Sequence, residues 1–232
     1  MGTNRPAAGG GRDIFVAPER LGKWIDGFDV RHRVASMTPT EHGLRAEAAD
    51  TAVAVCALPL GRSLPPGAPP IGPDGEWGSL LEYVIEHASA PLRVGVVMAR
   101  RAALAVGVFD GPRLESSKVD TSYVQGRTAA GGWSQQRYAR RRSNQAKAAA
   151  QKAADVVNRL IVPVLDTLDA VVTAGDKDAV AMILEDPRLA EVEKRVVAPH
   201  LGDVPEPRRA TLEALPELYR SVHIHLTQPE GT

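Results

Sequence analysis

The sequence predicts an α/β (α+β) layer fold with an added N-terminal module. Three observations carry that expectation. Residues 92–124 hold three consecutive strand-like segments, two apolar runs and a looser alternation, separated by short turns, the pattern of an antiparallel meander. Residues 134–161 then keep a helical period through an alanine-rich run. Beyond it, strand and helix signals alternate, as in a sheet covered by helices.

In chain order, residues 1–12 are rich in Gly, Ala and Arg and read as a disordered tail. Helical spacing over 18–32 puts Leu21, Trp24, Ile25 and Phe28 on one face, and Pro18 suits the first turn. Residues 44–58 alternate weakly and end in the Ala/Val run 51–58, predicting strands joined near Ala49-Asp50. Residues 13–58 form the expected N-terminal α+β module. Residues 59–78 carry Pro65-Pro66-Gly67-Ala68-Pro69-Pro70 and predict a linker or long surface loop. The main domain is expected over 79–228, opening with a short helix at 80–86.

Strands follow at 92–99, 102–109 and 113–124, with turns at Arg100-Arg101 and Asp110-Gly111-Pro112. The long helix carries Ala139, Ala146, Ala149, Ala150, Ala153, Val157, Leu160 and Ile161 on its apolar side and stops or kinks at Pro163. A short buried strand is expected at 170–174, then Gly175. Asp176 caps a helix reaching about residue 185. A strand near 195–199, a helix over 207–220 and a final strand at 222–226 complete the pattern.

Composition narrows the function classes. Lys+Arg and Asp+Glu are both 28, so the formal net charge is zero and only local clustering can argue for nucleic acid. Aromatics are 4%, too few for a platform that stacks single-stranded bases. Cys56 is the sole cysteine, which rules out an intramolecular disulfide and suits a reducing compartment. No apolar leader and no run of bilayer length occur, so a soluble, cytoplasmic protein with no membrane contact is expected. No phosphate-binding glycine loop, dinucleotide fingerprint or nucleophile elbow occurs.

Charge concentrates in one place. Gly131-Gly132-Trp133-Ser134-Gln135-Gln136-Arg137-Tyr138-Ala139-Arg140-Arg141-Arg142 joins the predicted meander to the long helix. No acidic residue lies between Arg137 and Lys152. Arg137, Arg140 and Arg141 share one helix side, and Arg142, Lys147 and Lys152 extend the charge around it. Such a face contacts phosphates without reading sequence. Arg127 stands on the other side of the loop. Glycines permit close approach to RNA, and a glutamine amide can hold a water or a leaving oxygen. An ordinary loop closing on a helix capped by Ser134 would use the same residues without chemistry.

The run resembles the catalytic loop of eukaryotic and archaeal class-1 translation release factors. There a Gly-Gly-Gln loop is followed by Ser, two residues, and Arg-aromatic-Ala-Arg-x-Arg. Trp133 departs from that pattern, standing where those factors place the catalytic glutamine. In this the chain is similar to the Vms-like release factors, above all to their actinobacterial branch, in which the glutamine follows a more variable glycine-containing loop. The resemblance extends over roughly residues 91–228. It implies a ribonuclease-H-like catalytic domain and a peptidyl-tRNA hydrolase that frees nascent chains from stalled ribosomes. The implied partners are the large ribosomal subunit, the CCA end of peptidyl-tRNA and ribosomal RNA, with no DNA and no cofactor. Gln135 is the preferred catalytic glutamine and Gln136 the alternative. Gly131 and Gly132 would shape the loop, and Trp133 would meet RNA or fold back on the domain.

Two other readings remain open. A non-catalytic ribosome- or tRNA-binding module would keep the basic stem and lack the chemistry. A metal-dependent nuclease would use carboxylates such as Asp110, Glu115 and Asp120. His223 and His225 share a strand face by period two, but no third metal ligand follows from spacing, and no metal is expected.

Overall fold

The computed structural model describes residues 4–6, 11–69, 77–100, 103–121, 134–197 and 199–227; at 4–6, 121 and 134–143 it describes the backbone alone. The chain divides into two compact units, Met1–Ala90 with Glu217–Thr232, and Pro91–Pro216.

The first unit is a six-stranded antiparallel sheet backed by two helices. Its elements are β1 (Asn4–Pro6), β2 (Arg12–Val16), α1 (Leu21–His32), β3 (Val34–Thr40), β4 (Gly43–Ala48), β5 (Val53–Ala57), α2 (Gly78–Ser89) and β10 (Val222–Thr227). The strand order is β1-β2-β10-β5-β4-β3. Ile224 lies opposite both Ile14 and Cys56, so the last strand fills the middle of this sheet. Alternation sends Val222, Ile224 and Leu226 to the face that also buries Leu44, Ala54 and Cys56. Leu21, Ile25 and Phe28 of α1 and Leu80, Val84 and Ala88 of α2 join the same core. Trp24 and Phe28 stack at 5.6 Å, one turn apart.

The second unit holds β6 (Arg93–Arg100), β7 (Ala103–Asp110), β8 (Arg113–Thr121), α3 (Ser134–Leu160), β9 (Ala170–Gly175), α4 (Lys177–Leu184), α5 (Ala190–Lys194) and the body of α6 (Arg209–Tyr219). The sheet order is β8-β7-β6-β9, an antiparallel meander with β9 added parallel to β6. β6 and β7 are buried along six consecutive residues each, so they read as apolar runs without alternation. Val97, Val106 and Val108 pack on one face with Ala153 and Val157 of α3, with Ile161 just beyond its end, and with Val180 and Ile183 of α4. On the other face Gly107 makes room for Leu212 of α6. Gly175 ends β9 at φ +91°, where any Cβ would strike the Ala99 carbonyl. That carbonyl instead accepts the Asp176 N–H at 2.7 Å. Asp176 then caps α4, accepting from the N–H groups of Asp178 and Ala179, as expected.

The structure corrects several expectations. Near 195–199 the described residues form no continuous strand; Val196 and Leu201 make single parallel bridges to Val171 and Ala174. His200 pins this segment, its Nε2 donating to the Gly175 carbonyl at 3.0 Å and its Nδ1 accepting from the Thr173 hydroxyl at 2.9 Å. Strands β2 and β3 were not expected, and Asn4–Pro6 within the expected tail pairs with β2. β3 hides its nature with a bulge near Val34 and with Pro39, which its edge position tolerates. Residues 59–69 of the expected linker lie against the first unit: Leu64 and Ala68 pack on its core, and Tyr83 donates to the Pro65 and Pro66 carbonyls at 3.3 Å. The expected boundary at 59–78 therefore differs from the observed division, because α2 and β10 complete the first unit's core. Ala146 is exposed on α3, and the buried seam begins further along, at Ala153. The turn at Arg101, residues 122–124 of the third strand, and residues 70–76 lie outside the described residues. Among the described residues no helix is long and apolar enough to cross a membrane.

Candidate functional site

The sequence-predicted site sits at the start of α3. This helix has 27 residues, about 40 Å at 1.5 Å per residue. Its C-terminal part is anchored. Ala153, Ala154, Val156 and Val157 are buried, whereas residues 144–148 are all exposed. Five exposed residues exceed one full turn, so no side of the helix is covered there. Residues 144–148 are thus an exposed stretch of the helix, and Ala146 and Ala148 favour helical form there.

A polar clamp fixes the root of the shaft. Arg188 makes a two-pronged contact with Asp186, Nε to Oδ1 at 3.0 Å and Nη2 to Oδ2 at 2.8 Å. The same Nη2 reaches Asp155 of α3 at 2.7 Å, and Gln151 of α3 donates to Asp186 at 2.9 Å. The Arg188 guanidinium and the backbone N–H of Arg188 hold the Asp186 carboxyl well below the usual carboxylate range. Sequence reasoning missed this clamp. Its local signal is Asp186-Pro187-Arg188, an aspartate accepting from the Arg188 N–H to start a 3-10 turn.

Gln135, Gln136, Arg137, Arg140, Arg141 and Arg142 all lie within the helical backbone of α3. Gln135 and Ala153 are 18 residues apart, about five turns, so Gln135 continues the line of the buried seam. Arg137, Arg140 and Arg141 fall on the opposite side by helical position. Lys147 and Lys152 are exposed. Arg127, Gly131, Gly132 and Trp133 lie outside the described residues.

The nuclease carboxylates are not all brought together, whereas the two histidines converge on one aspartate. Asp110 and Glu115 stand near Arg113 and Arg93 toward one end of the meander, with Glu115 paired to Arg93 at 2.8 Å. Asp120 is five residues further along β8, about 17 Å of extended chain. His223 and His225 belong to the first unit, and both approach Asp13 Oδ1, at 3.0 and 2.9 Å. Hydrogen bonding from His225 lowers the Asp13 pKa. Among the described residues no group of three or more His, Cys, Asp or Glu is arranged to hold a metal ion.

Comparison with known proteins agrees with the sequence motif. The release factor subunit 1 of Aeropyrum pernix is 30% identical over 126 residues, 53% of this chain and 33% of that protein. The chain thus spans about a third of the length of the curated relative it matches. Among solved structures, an archaeal translation termination factor, aRF1, is 23% identical with a TM-score of 0.37, covering 58% of this chain and 36% of that one. A second, described as an archaeal protein, is 20% identical with a TM-score of 0.36, covering 73% and 48%. The model of the family described as Actinobacteria/chloroflexi VLRF1 release factor matches residues 92–225, 134 of the 232 positions. With more than half of its length matched, the chain belongs to the Actinobacteria/chloroflexi VLRF1 release factor family.

Proposed function

We propose that this protein releases nascent chains from stalled ribosomes by hydrolysing the ester of peptidyl-tRNA. The observation that carries the reading is the length of α3, a 27-residue helix exposed over residues 144–148. From Gln135 to the first buried residue, Ala153, it reaches about 27 Å, enough to carry a small polar group into a confined RNA site. The arginines and the glutamine occupy opposite sides of that shaft. Arg137, Arg140 and Arg141, with Lys147, Arg142 and Arg127, dock the stem on phosphates of ribosomal RNA and tRNA. Gln135 orients a water at the CCA end, in the large subunit, while Gly131 and Gly132 let the loop approach and Trp133 meets RNA.

The water oxygen attacks the ester carbonyl carbon, the bond to the ribose oxygen breaks, and the proton passes to that oxygen. An amide held in place contributes by orienting water and leaving group, worth roughly 3 kcal/mol per preorganised donor. No cofactor or resident metal enters this scheme, and the place of action is the cytoplasm.

Trp133, standing where the class-1 release factors place their glutamine, favours one other reading, a docking module without chemistry. Peptide release from purified ribosome–peptidyl-tRNA complexes separates the two. Gln135→Ala should slow release by about 10²-fold or more with ribosome binding unchanged. Loss only in Gln136→Ala would move the role to Gln136. Full activity in both variants would refute side-chain chemistry.

A further inference from the structure

Two unlike attachments hold α3. The first is its apolar seam, which places Ala153 and Val157 in the core. Apolar contact is non-directional, so a seam alone resists separation better than it resists rolling or pivoting. The second attachment is the polar clamp. Gln151 and Asp155 lie two residues to either side of Ala153, about 160° round the helix from it. They sit one turn apart, and both end on the short turn formed by Asp186 and Arg188. That turn is itself fixed, because Leu189, which follows it, is buried in the same core as Ala153. Asp186 accepts from the N–H, Nε and Nη2 of Arg188 and from Gln151. A guanidinium fork fixes direction as well as distance, which an apolar seam does not.

We infer that Arg188 is a positioning residue for peptide release: by tying Gln151 and Asp155 to the Asp186 turn, it sets the direction in which α3 presents Gln135. This role rests on the proposed release activity. Gln135 is 16 residues from Gln151, about 24 Å along the helix axis. A pivot of about 5° either way at the clamp carries Gln135 sideways by about 2 Å. A misplacement of about 1 Å can cost about 10²-fold in a positioned reaction. The side chains of Arg188 and Asp155 are 45% and 58% exposed, and ion pairs in such settings add little to folding stability. What the clamp supplies is therefore direction.

Two readouts on the full chain test the role. The first follows the helix without any ribosome, through spin labels on Ala139→Cys in α3 and Ala214→Cys on the exposed side of α6; Cys56 is buried and stays unlabelled. Pulsed electron resonance should give a narrow distance distribution, and Arg188→Ala should broaden it by about 3 Å, the spread of the same pivot at residue 139. The second readout is single-turnover release at saturating factor. Arg188→Ala should slow it about tenfold or more, with the half-saturating factor concentration unchanged and the melting temperature within about 2 °C. Arg188→Lys keeps the charge without the fork and should be nearly as slow. Asp155→Ala should also slow release, and Asp155→Asn, which keeps an acceptor for Nη2, should restore part of the rate; this pair carries the test if Arg188→Ala does not fold. An unchanged distance distribution in both Arg188→Ala and Asp155→Ala overturns the inference. So does a broadened distribution with wild-type release while Gln135→Ala is slow. A melting temperature lowered far beyond 2 °C in both clamp variants assigns the clamp to stability and overturns it as well. Normal release by both Gln135→Ala and Gln136→Ala instead refutes the release chemistry itself, and the aiming role falls with it.

Discussion

Ala148→Pro tests whether α3 acts as a rigid arm. Ala148 is exposed and lies five residues before Ala153, where burial begins. Proline there removes the hydrogen bond to the Asn144 carbonyl and clashes with it, bending the helix by roughly 20° or more. The arm from 148 to 135 is 13 residues, about 20 Å, so its tip moves sideways by about 7 Å. Catalytic positioning tolerates far less, since a misplacement of about 1 Å can cost about 10²-fold. The hydrogen bonds and packing from Ala149 onward stay as they are, so the helix cost of about 3 kcal/mol falls on a segment outside the core. Single-turnover release at saturating factor should therefore drop by about 10²-fold, with a melting temperature within about 2 °C of wild type. Ala148→Gln, which keeps the helix, should release normally. Wild-type release by Ala148→Pro would refute rigid delivery. A melting temperature lowered by much more than that would show that the helix before Ala149 contributes to the core.

Three further outcomes are expected. Replacing Arg137, Arg140 and Arg141 together by Ala should weaken ribosome binding and make its salt dependence shallower, by roughly 0.7–0.9 in slope for each phosphate no longer neutralised; folding should survive, and normal binding at every salt concentration would show the arginines to be only solvated. Burial pushes the Cys56 thiol up from 9.0 to about 12. The folded state therefore favours the protonated thiol, and this contribution is whole below pH 9.0 and falls as pH rises toward about 12, so Cys56→Ala should lessen the alkaline loss of stability and Cys56 should resist iodoacetamide at pH 8 until the first unit unfolds. Gly175→Ala should lower the melting temperature by several degrees, because φ +91° and the Ala99 carbonyl both oppose a Cβ; a melting curve matching wild type would contradict that packing.

Local pattern reveals some elements here and conceals others. The meander, α3, β9 and the Asp176 cap were legible because their signals are short-range: apolar runs, a helical period, a glycine and an aspartate in sequence. β3 was concealed because an edge strand need not alternate and can keep Pro39. The strand near 195–199 failed for the opposite reason. Its apolar residues Val196 and Val197 look strand-like, yet only Val196 bridges β9. The Asp186–Arg188–Asp155 clamp joins residues 33 apart in sequence, and no local pattern announces such a pairing.

The sequence by itself determined the kind of protein this is. A glycine pair, two glutamines and four arginines at fixed spacing are a covalent pattern, readable without coordinates, and they led to the release factor family that residues 92–225 match. Which residues form each core was decided only in three dimensions. Val222–Thr227 is last in the chain, yet it pairs with Arg12–Val16 and Val53–Ala57 and closes the first unit's sheet. Alternation tells a strand which face to bury and is silent on its neighbour, because pairing depends on matching apolar faces far apart in sequence. The same holds for α3. Its period foretold a helix, but only the burial of Ala153 and Val157, against the exposure of Ala146, shows where its buried seam begins.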